Sequence, residues 1–319
     1  MKLGVCLQAL YHLPFRQALR QAADLGFQAV ELPVDARSPV LDLDEALRDG
    51  GKRIRAEVRD AGLEISALSN HQEGQLLLGP HGEDTDAIFA GDADAKARYA
   101  GRRLEQTARL ARMLEVDVVC GFTGCEEWAR WFPWPLADGY ERMAPRFRDR
   151  LLPVLDAFAS HGVRFAHECH PRQFAYNLET AAWALELVDG HPALGFNFDP
   201  ANLCMAGMDP LCFVAELGER ILHVHAKDFE AVSGNVARSG LLAHGPWSRR
   251  GRGVRFRVPG WGDIPWRRVI SELQMAGYSG VLAVEHEDPV LDRIEGLEMA
   301  IRFLRPLVPR QPRPAEPWW

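Results

Sequence analysis

The stretch LHVHAKD, residues 222–228, decides how the chain is read. Leu222 and Val224 alternate with His223, His225 and Lys227, the period of two that a β-strand imposes on its faces. One face is aliphatic; the other carries two imidazoles and an ammonium. A long, polar, Gly-rich region follows. A strand of this kind packs its aliphatic side against helices and turns its polar side toward an enclosed interior.

Working outward, β-like runs recur at 3–8 (LGVCLQ), 27–32 (FQAVEL), 64–69 (EISALS), 116–122 (VDVVCGF), 163–168 (VRFAHE), 193–199 (ALGFNFD), 221–226 (ILHVHA) and 281–286 (VLAVEH). The segments between them space their apolar residues as helices do. Examples are RQALRQAADLG, closed by Gly26, the stretch 93–115, the stretch 139–161 closed by Gly162, and LEMAIRFLRPL. Strand and helix alternating eight times predict an α/β fold, a (β/α)8 TIM barrel over residues 1–308, with a Pro-rich tail at 309–319. An open doubly wound sheet would place a Gly-rich phosphate turn after the first strand, and LQALYHLP is not one.

Three extended segments, 70–92, 123–138 and 229–263, all follow strands. In a barrel they fall on the C-terminal face, where such enzymes carry their active sites. The second holds Trp128, Trp131, Phe132 and Trp134, a group expected to wall the mouth or to pack against a second subunit of a homo-oligomer.

With 47% hydrophobic residues the 319-residue chain has the composition of a folded domain, and a net charge of -7 argues against a nucleic-acid partner. No apolar run reaches membrane-spanning length, and MKLGVCLQAL enters a strand with no leader pattern, so a cytoplasmic protein without a membrane partner is expected. The six cysteines form neither a disulfide framework nor a zinc-ligand spacing; Cys6, Cys120 and Cys204 read as small buried hydrophobes.

Alternation places Glu168, Asp199, His225 and Glu285 at the C-terminal ends of four consecutive strands, each on the face opposite the bulky residues. Three carboxylates converging in a partly buried cup repel one another. A divalent cation with His225 as fourth ligand resolves this, and three oxygens with one imidazole suit Mn²⁺, Mg²⁺ or Co²⁺, with Zn²⁺ possible. Four protein ligands leave positions open for two substrate oxygens. Taken singly, each residue has a structural reading. Asp199, before a proline, caps a helix; Glu285 and Glu287 are solvated strand ends; His223 is a hydrogen-bonded core histidine. Lys227 and Asp228 pair with each other or with neighbours. His71 and Glu31 stay open between site and structure. Four matched strand ends together favour the site.

The motifs HECHP, FNFDPANL, LHVHAKD, VPGWGDIPW and GYSGVLAVEHED, in that order, resemble the xylose-isomerase-like superfamily of sugar phosphate isomerases and epimerases. The resemblance implies a divalent metal held by Glu168, Asp199, His225 and Glu285 and a small carbohydrate substrate. It also implies proton transfer beside a carbonyl by Glu168 and Glu285, through an enediolate. His71, His170, Asn202 and Lys227 are candidate substrate contacts. Asn202 stands where many epimerases of the family have histidine. The family's sugar-contacting arginine has no single counterpart; Arg238, Arg249, Arg250, Arg252 and Arg255 all lie in the region. The same cup also suits dehydration of an inosose or keto-sugar. An apurinic-site endonuclease would need more histidines and a basic groove, and a non-catalytic binding module would be expected to have lost a ligand.

Overall fold

Each of the eight β-like runs forms a strand in the computed structural model, which describes residues 1–129, 138–309 and 311. In chain order these are β1 (Lys2–Cys6), β2 (Ala29–Pro33), β3 (Glu64–Asn70), β4 (Val118–Gly121), β5 (Arg164–Glu168), β6 (Leu194–Phe198) and β7 (Ile221–Ala226). A two-stranded ribbon follows, β8 (Asp228–Ala231) with β9 (Val254–Arg257), and then β10 (Val281–Val284). The eight parallel strands close as a TIM barrel in the order β1-β10-β7-β6-β5-β4-β3-β2. Register is explicit where it matters: Ala283 lies beside His225, Cys6 beside Glu31, and Glu168 beside Asn197.

The helices form for local reasons. In the helix Phe15–Asp24 the buried residues Phe15, Ala18, Leu19 and Ala22 make a single stripe at i, i+3, i+4 and i+7, and Gly26 (φ 90°) supplies the left-handed turn that ends it. The helix Ala93–Leu114 starts on Asp92, whose side chain accepts the Ala95 N–H, and stops at Glu115 in the left-handed conformation.

The chain packs as two compact units. One comprises Met1–Glu31, Ala61–Ser66 and Phe198–Trp319; the other comprises Leu32–Asp60 and Ala67–Asn197. In the second, the segment 70–92 is more ordered than its polarity implies. It opens with the helix His71–Gly74, and the fully buried Glu73 accepts hydrogen bonds from Tyr99 Oη (2.6 Å), Arg103 Nε (2.7 Å) and Asn70 Nδ2 (2.8 Å).

In the first unit, the region 229–263 contains the ribbon and the helix Ser233–Ser239, features that its Gly-rich composition conceals. All six cysteines are free; Cys6 and Cys120 are buried as expected, but Cys204, next to last in the short helix Pro200–Met205, is half-buried. Trp128 donates to the Gln173 carbonyl at 3.1 Å, whereas Trp131, Phe132, Trp134 and all of the tail except Pro309 and Gln311 lie outside the described residues. No helix of the described residues is long and apolar enough to cross a membrane.

Candidate metal centre

The strand β7 delivers His223, His225 and Lys227 on one side, as alternation requires. The first unit assembles its groups around this strand. His225 Nε2 lies 2.7 Å from Glu31 Oε2, and His223 Nε2 lies 3.0 Å from the same oxygen, so both histidines share one buried carboxylate. Burial alone would push the Glu31 carboxyl up, but His225 and then His223 outweigh it and hold it well below the usual carboxylate range. Glu31 therefore orients the imidazoles from behind, and with Nε2 engaged the Nδ1 of His225 faces Glu285 Oε2 at 3.3 Å.

Lys227 is the electrostatic centre of this group. Its side chain is 3% exposed, and its Nζ lies 2.9 Å from Asp199 Oδ2, 2.7 Å from Glu285 Oε2 and 3.0 Å from Glu287 Oε2. Gln8 Nε2 donates to the other oxygen of Glu285 at 2.6 Å. Asp199 caps the helix that follows it, as its place before a proline allows. Its Oδ1 caps the helix Pro200–Met205 by accepting from Ala201 N (2.9 Å) and Asn202 N (3.1 Å), which fixes the rotamer and leaves Oδ2 toward Lys227. Asn202 donates from Nδ2 to that Oδ2 at 3.0 Å, so it steadies the aspartate.

Asp228 turns away from Lys227 and locks the following loop. Its carboxylate accepts from Phe229 N, Ile264 N, Gly260 N and Trp266 Nε1 at 2.8–3.1 Å. This accounts physically for the pairing of HAKD with VPGWGDIPW. A Cβ at Gly262 would stand 2.3 Å from Asp228 Oδ1 and 2.5 Å from the Phe229 carbonyl, so only glycine fits.

In the second unit Glu168 stands at the end of β5. Its Oε2 accepts from His71 Nε2 at 3.1 Å and Asn197 Nδ2 at 2.8 Å, and its side chain is nearly fully buried. His71 packs edge-on against Phe122, which also borders His170; His170 itself donates from Nδ1 to the Pro171 carbonyl. The neighbouring His167 is different: burial pushes it down to about 4, so it is a neutral core residue that donates to Ala175 O.

Two sets of buried groups among the described residues are placed so that they could hold a metal ion. One is Glu168, Asp199, His225 and Glu285, with one ligand atom of each within 4.8 Å of the others, the set read from the strand ends. The other is Glu31, Cys120, His223 and His225. Gln8, Asn197 and Glu31 escaped selection as site residues. Gln8 lies just past its strand, in the turn Leu7–Leu10; Asn197 lies within β6, and Glu31 stood open between site and structure.

A family model described as the xylose isomerase-like TIM barrel matches residues 19–307, and the chain belongs to that family. Among curated relatives, the uncharacterized protein YfiH of Bacillus subtilis is 28% identical over 96% of this chain and 98% of its own length. An inosose dehydratase of Clostridium perfringens is 26% identical over 90% and 87%. Among solved structures, the 3-keto-D-glucoside 4-epimerase YcjR from E. coli superposes with a TM-score of 0.69 at 14% identity, covering 96% of this chain and 99% of that one. The IolI protein with a bound zinc atom has a TM-score of 0.68 at 18% identity, covering 97% and 98%.

Proposed function

We propose that this member of the xylose isomerase-like TIM-barrel family is a divalent-metal-dependent isomerase or epimerase of a sugar or keto-sugar. It moves a proton at the carbon next to a carbonyl, through an enediolate. The observation that carries the reading is the buried set Glu168, Asp199, His225 and Glu285. Three carboxylates and one imidazole fit Mn²⁺, Co²⁺ or Mg²⁺, with Zn²⁺ possible, and the solved IolI neighbour has a zinc. The ion, when bound there, supplies Lewis-acid stabilisation of negative charge developing on the substrate oxygens.

The chain's own residues supply the proton chemistry. Glu168 and Glu285 take and return the proton. Their surroundings differ: Gln8 and Lys227 engage both oxygens of Glu285, while His71 and Asn197 both bind Oε2 of Glu168. The Glu168–His71 pair is thus the better route for a proton leaving the buried cup. The ammonium of Lys227 balances the charges of Glu285, Asp199 and Glu287. His170 and Lys227 are the polar contacts for substrate hydroxyls.

A dehydratase reading is favoured by one observation, the inosose dehydratase relative that spans 90% of the chain. It begins with the same proton abstraction and then expels a hydroxyl from the adjacent carbon. The test is turnover of a panel of ketoses, inososes and keto-glycosides in D₂O, with chelated and metal-reloaded protein and product identification by NMR. The expected result is activity lost on chelation and regained with Mn²⁺, Co²⁺ or Mg²⁺. Full activity in protein shown by elemental analysis to be metal-free would exclude the reading.

A further inference from the structure

The four arginines of the helix Gly139–Ser160 are all engaged by carboxylates. Arg142 pairs with Asp138 (2.7 Å), Arg146 with Glu126 (3.2 Å), Arg148 with Asp189 (2.7 Å) and Arg150 with Asp94 (2.9 Å). Three glutamates remain without a basic partner among the described residues. Glu141 lies in the first turn of the same helix, and Glu179 and Glu186 lie in the helix Leu178–Leu187. Together with Tyr140 and Trp183 they line a cavity of about 590 Å³ within the second unit, in the size range of small-molecule sites.

Helix chemistry accounts for two of these carboxylates and not for the third. Glu141 and Glu179 stand in first turns, where the positive end of the helix dipole favours an anion. Glu186 stands next to last in its helix, where the dipole disfavours one. Its spacing ties it to the cavity instead: Glu179, Trp183 and Glu186 follow at i, i+4 and i+7, a single stripe along the helix.

The wall that accompanies these carboxylates is aromatic. Phe174 is fully buried, and Trp183 and Tyr140 both lean on it, each with its ring centroid 5.4 Å away, tilted by 33° and 37°. Phe147 stacks on Phe174 as well, at 4.3 Å. The Tyr140 hydroxyl is buried beside Cys125, so what this residue offers the cavity is its ring. Trp183 and Tyr140 are only half-buried, and their outward sides border the cavity.

This combination selects among ligand classes. An anion is repelled by three uncompensated carboxylates. A bare divalent ion needs several oxygens at fixed short range, which three exposed glutamate side chains on two helices do not supply. An organic cation uses both features: its charge meets the glutamates, and its methyl groups or planar face lie on the indole.

We propose that this cavity binds a small organic cation, a methylated ammonium or a guanidinium, with Trp183 and Tyr140 against its apolar face and Glu141, Glu179 and Glu186 supplying the opposite charge. The site shares no residue with the set Glu168, Asp199, His225 and Glu285, so it stands whether or not that set holds a metal.

The test is isothermal titration calorimetry of the full-length chain with tetramethylammonium, with choline and with the uncharged carbon isostere of choline, at low ionic strength. Wild type, Trp183→Leu, the double variant Glu179→Gln with Glu186→Gln, and the exposed control Glu83→Gln are compared, with circular dichroism to confirm folding. Saturable binding of both cations is expected, weakened by added salt, with no binding of the isostere. Trp183→Leu and the double variant should each weaken choline binding about fivefold or more, and the control should leave it unaltered. Leucine keeps apolar volume against Phe174; should that variant misfold, the two glutamines, on exposed side chains, still decide the question. Absence of saturable binding of both cations, equal binding of choline and its isostere, or wild-type affinity in either folded variant would overturn the site. Excess Mn²⁺ at matched ionic strength should leave choline affinity unchanged; competition between the two would place the cation at the candidate metal centre and overturn the site.

Discussion

Replacing Lys227 by methionine isolates the charge balance of the candidate centre, because methionine retains much of the volume and none of the charge. The ammonium stands 2.9 Å from Asp199, 2.7 Å from Glu285 and 3.0 Å from Glu287. At an effective dielectric of about 20, a contact near 3 Å is worth roughly 5–6 kcal/mol of gross Coulomb attraction. Desolvation offsets most of that, and Glu287, with 44% of its side chain exposed, contributes little. What remains is the uncompensated burial of Asp199 and Glu285, for which removing one partner of a buried pair typically costs about 3–5 kcal/mol. In a chain of 319 residues that corresponds to a Tm lower by roughly 4–8 °C. The assay is thermal unfolding in excess EDTA and in excess Mn²⁺. The variant is expected to lose most stability in EDTA and much less in Mn²⁺, since a divalent ion among the same carboxylates replaces the missing charge. No loss in EDTA would refute the role given to Lys227. A loss as large in Mn²⁺ as in EDTA would refute the shared use of these carboxylates by lysine and metal.

Glu285→Gln retains a coordinating oxygen but accepts no proton, so turnover and solvent-deuterium exchange beside the substrate carbonyl should fall together by about 10²–10⁴-fold; wild-type exchange with metal bound would leave Glu285 a ligand only. Gly262→Ala forces a methyl against the Asp228 carboxylate and the Phe229 carbonyl and should cost about 1–3 kcal/mol in urea unfolding; an unchanged midpoint would contradict the clamp. Burial holds the thiol of Cys125 up at about 11 and that of Cys204 at about 12, whereas Cys212 is exposed. Since only thiolate reacts, iodoacetamide at pH 8 should label Cys212 first by mass spectrometry, with Cys125 recruited only as pH approaches 11; early labelling of Cys125 would count against the packing described.

The barrel was legible because its signal is periodic. Alternation along VRFAHE, ALGFNFD, ILHVHA and VLAVEH separates wall from interior residue by residue, and the observed strands β5, β6, β7 and β10 lie within those stretches. The same periodicity selected Glu168, Asp199, His225 and Glu285 before any contact was visible. It was silent about groups whose position depends on a turn or a second element. Gln8 reaches Glu285 across 277 residues of sequence, His71 reaches Glu168 across 97, and Glu31 meets His225 across 194. No local pattern encodes such meetings. The ribbon of β8 and β9 was hidden for another reason: its strands are four residues each, too short for alternation to stand out within a Gly-rich region.

Asp228 fastens the long insertion after β7 to the strand end it follows. Its carboxylate ties Gly260, Ile264 and Trp266 to the strand end that carries Lys227, so both ends of the 229–263 insertion are anchored beside the chemistry. Between those anchors the Trp247–Arg252 stack runs back through Phe256, whose ring centroid lies 4.6 Å from Lys227 Nζ. Asp228→Ala should therefore lower thermal stability and Mn²⁺ affinity together. Separable effects from Asp228→Ala would break this account, because the clamp is the physical link between the two.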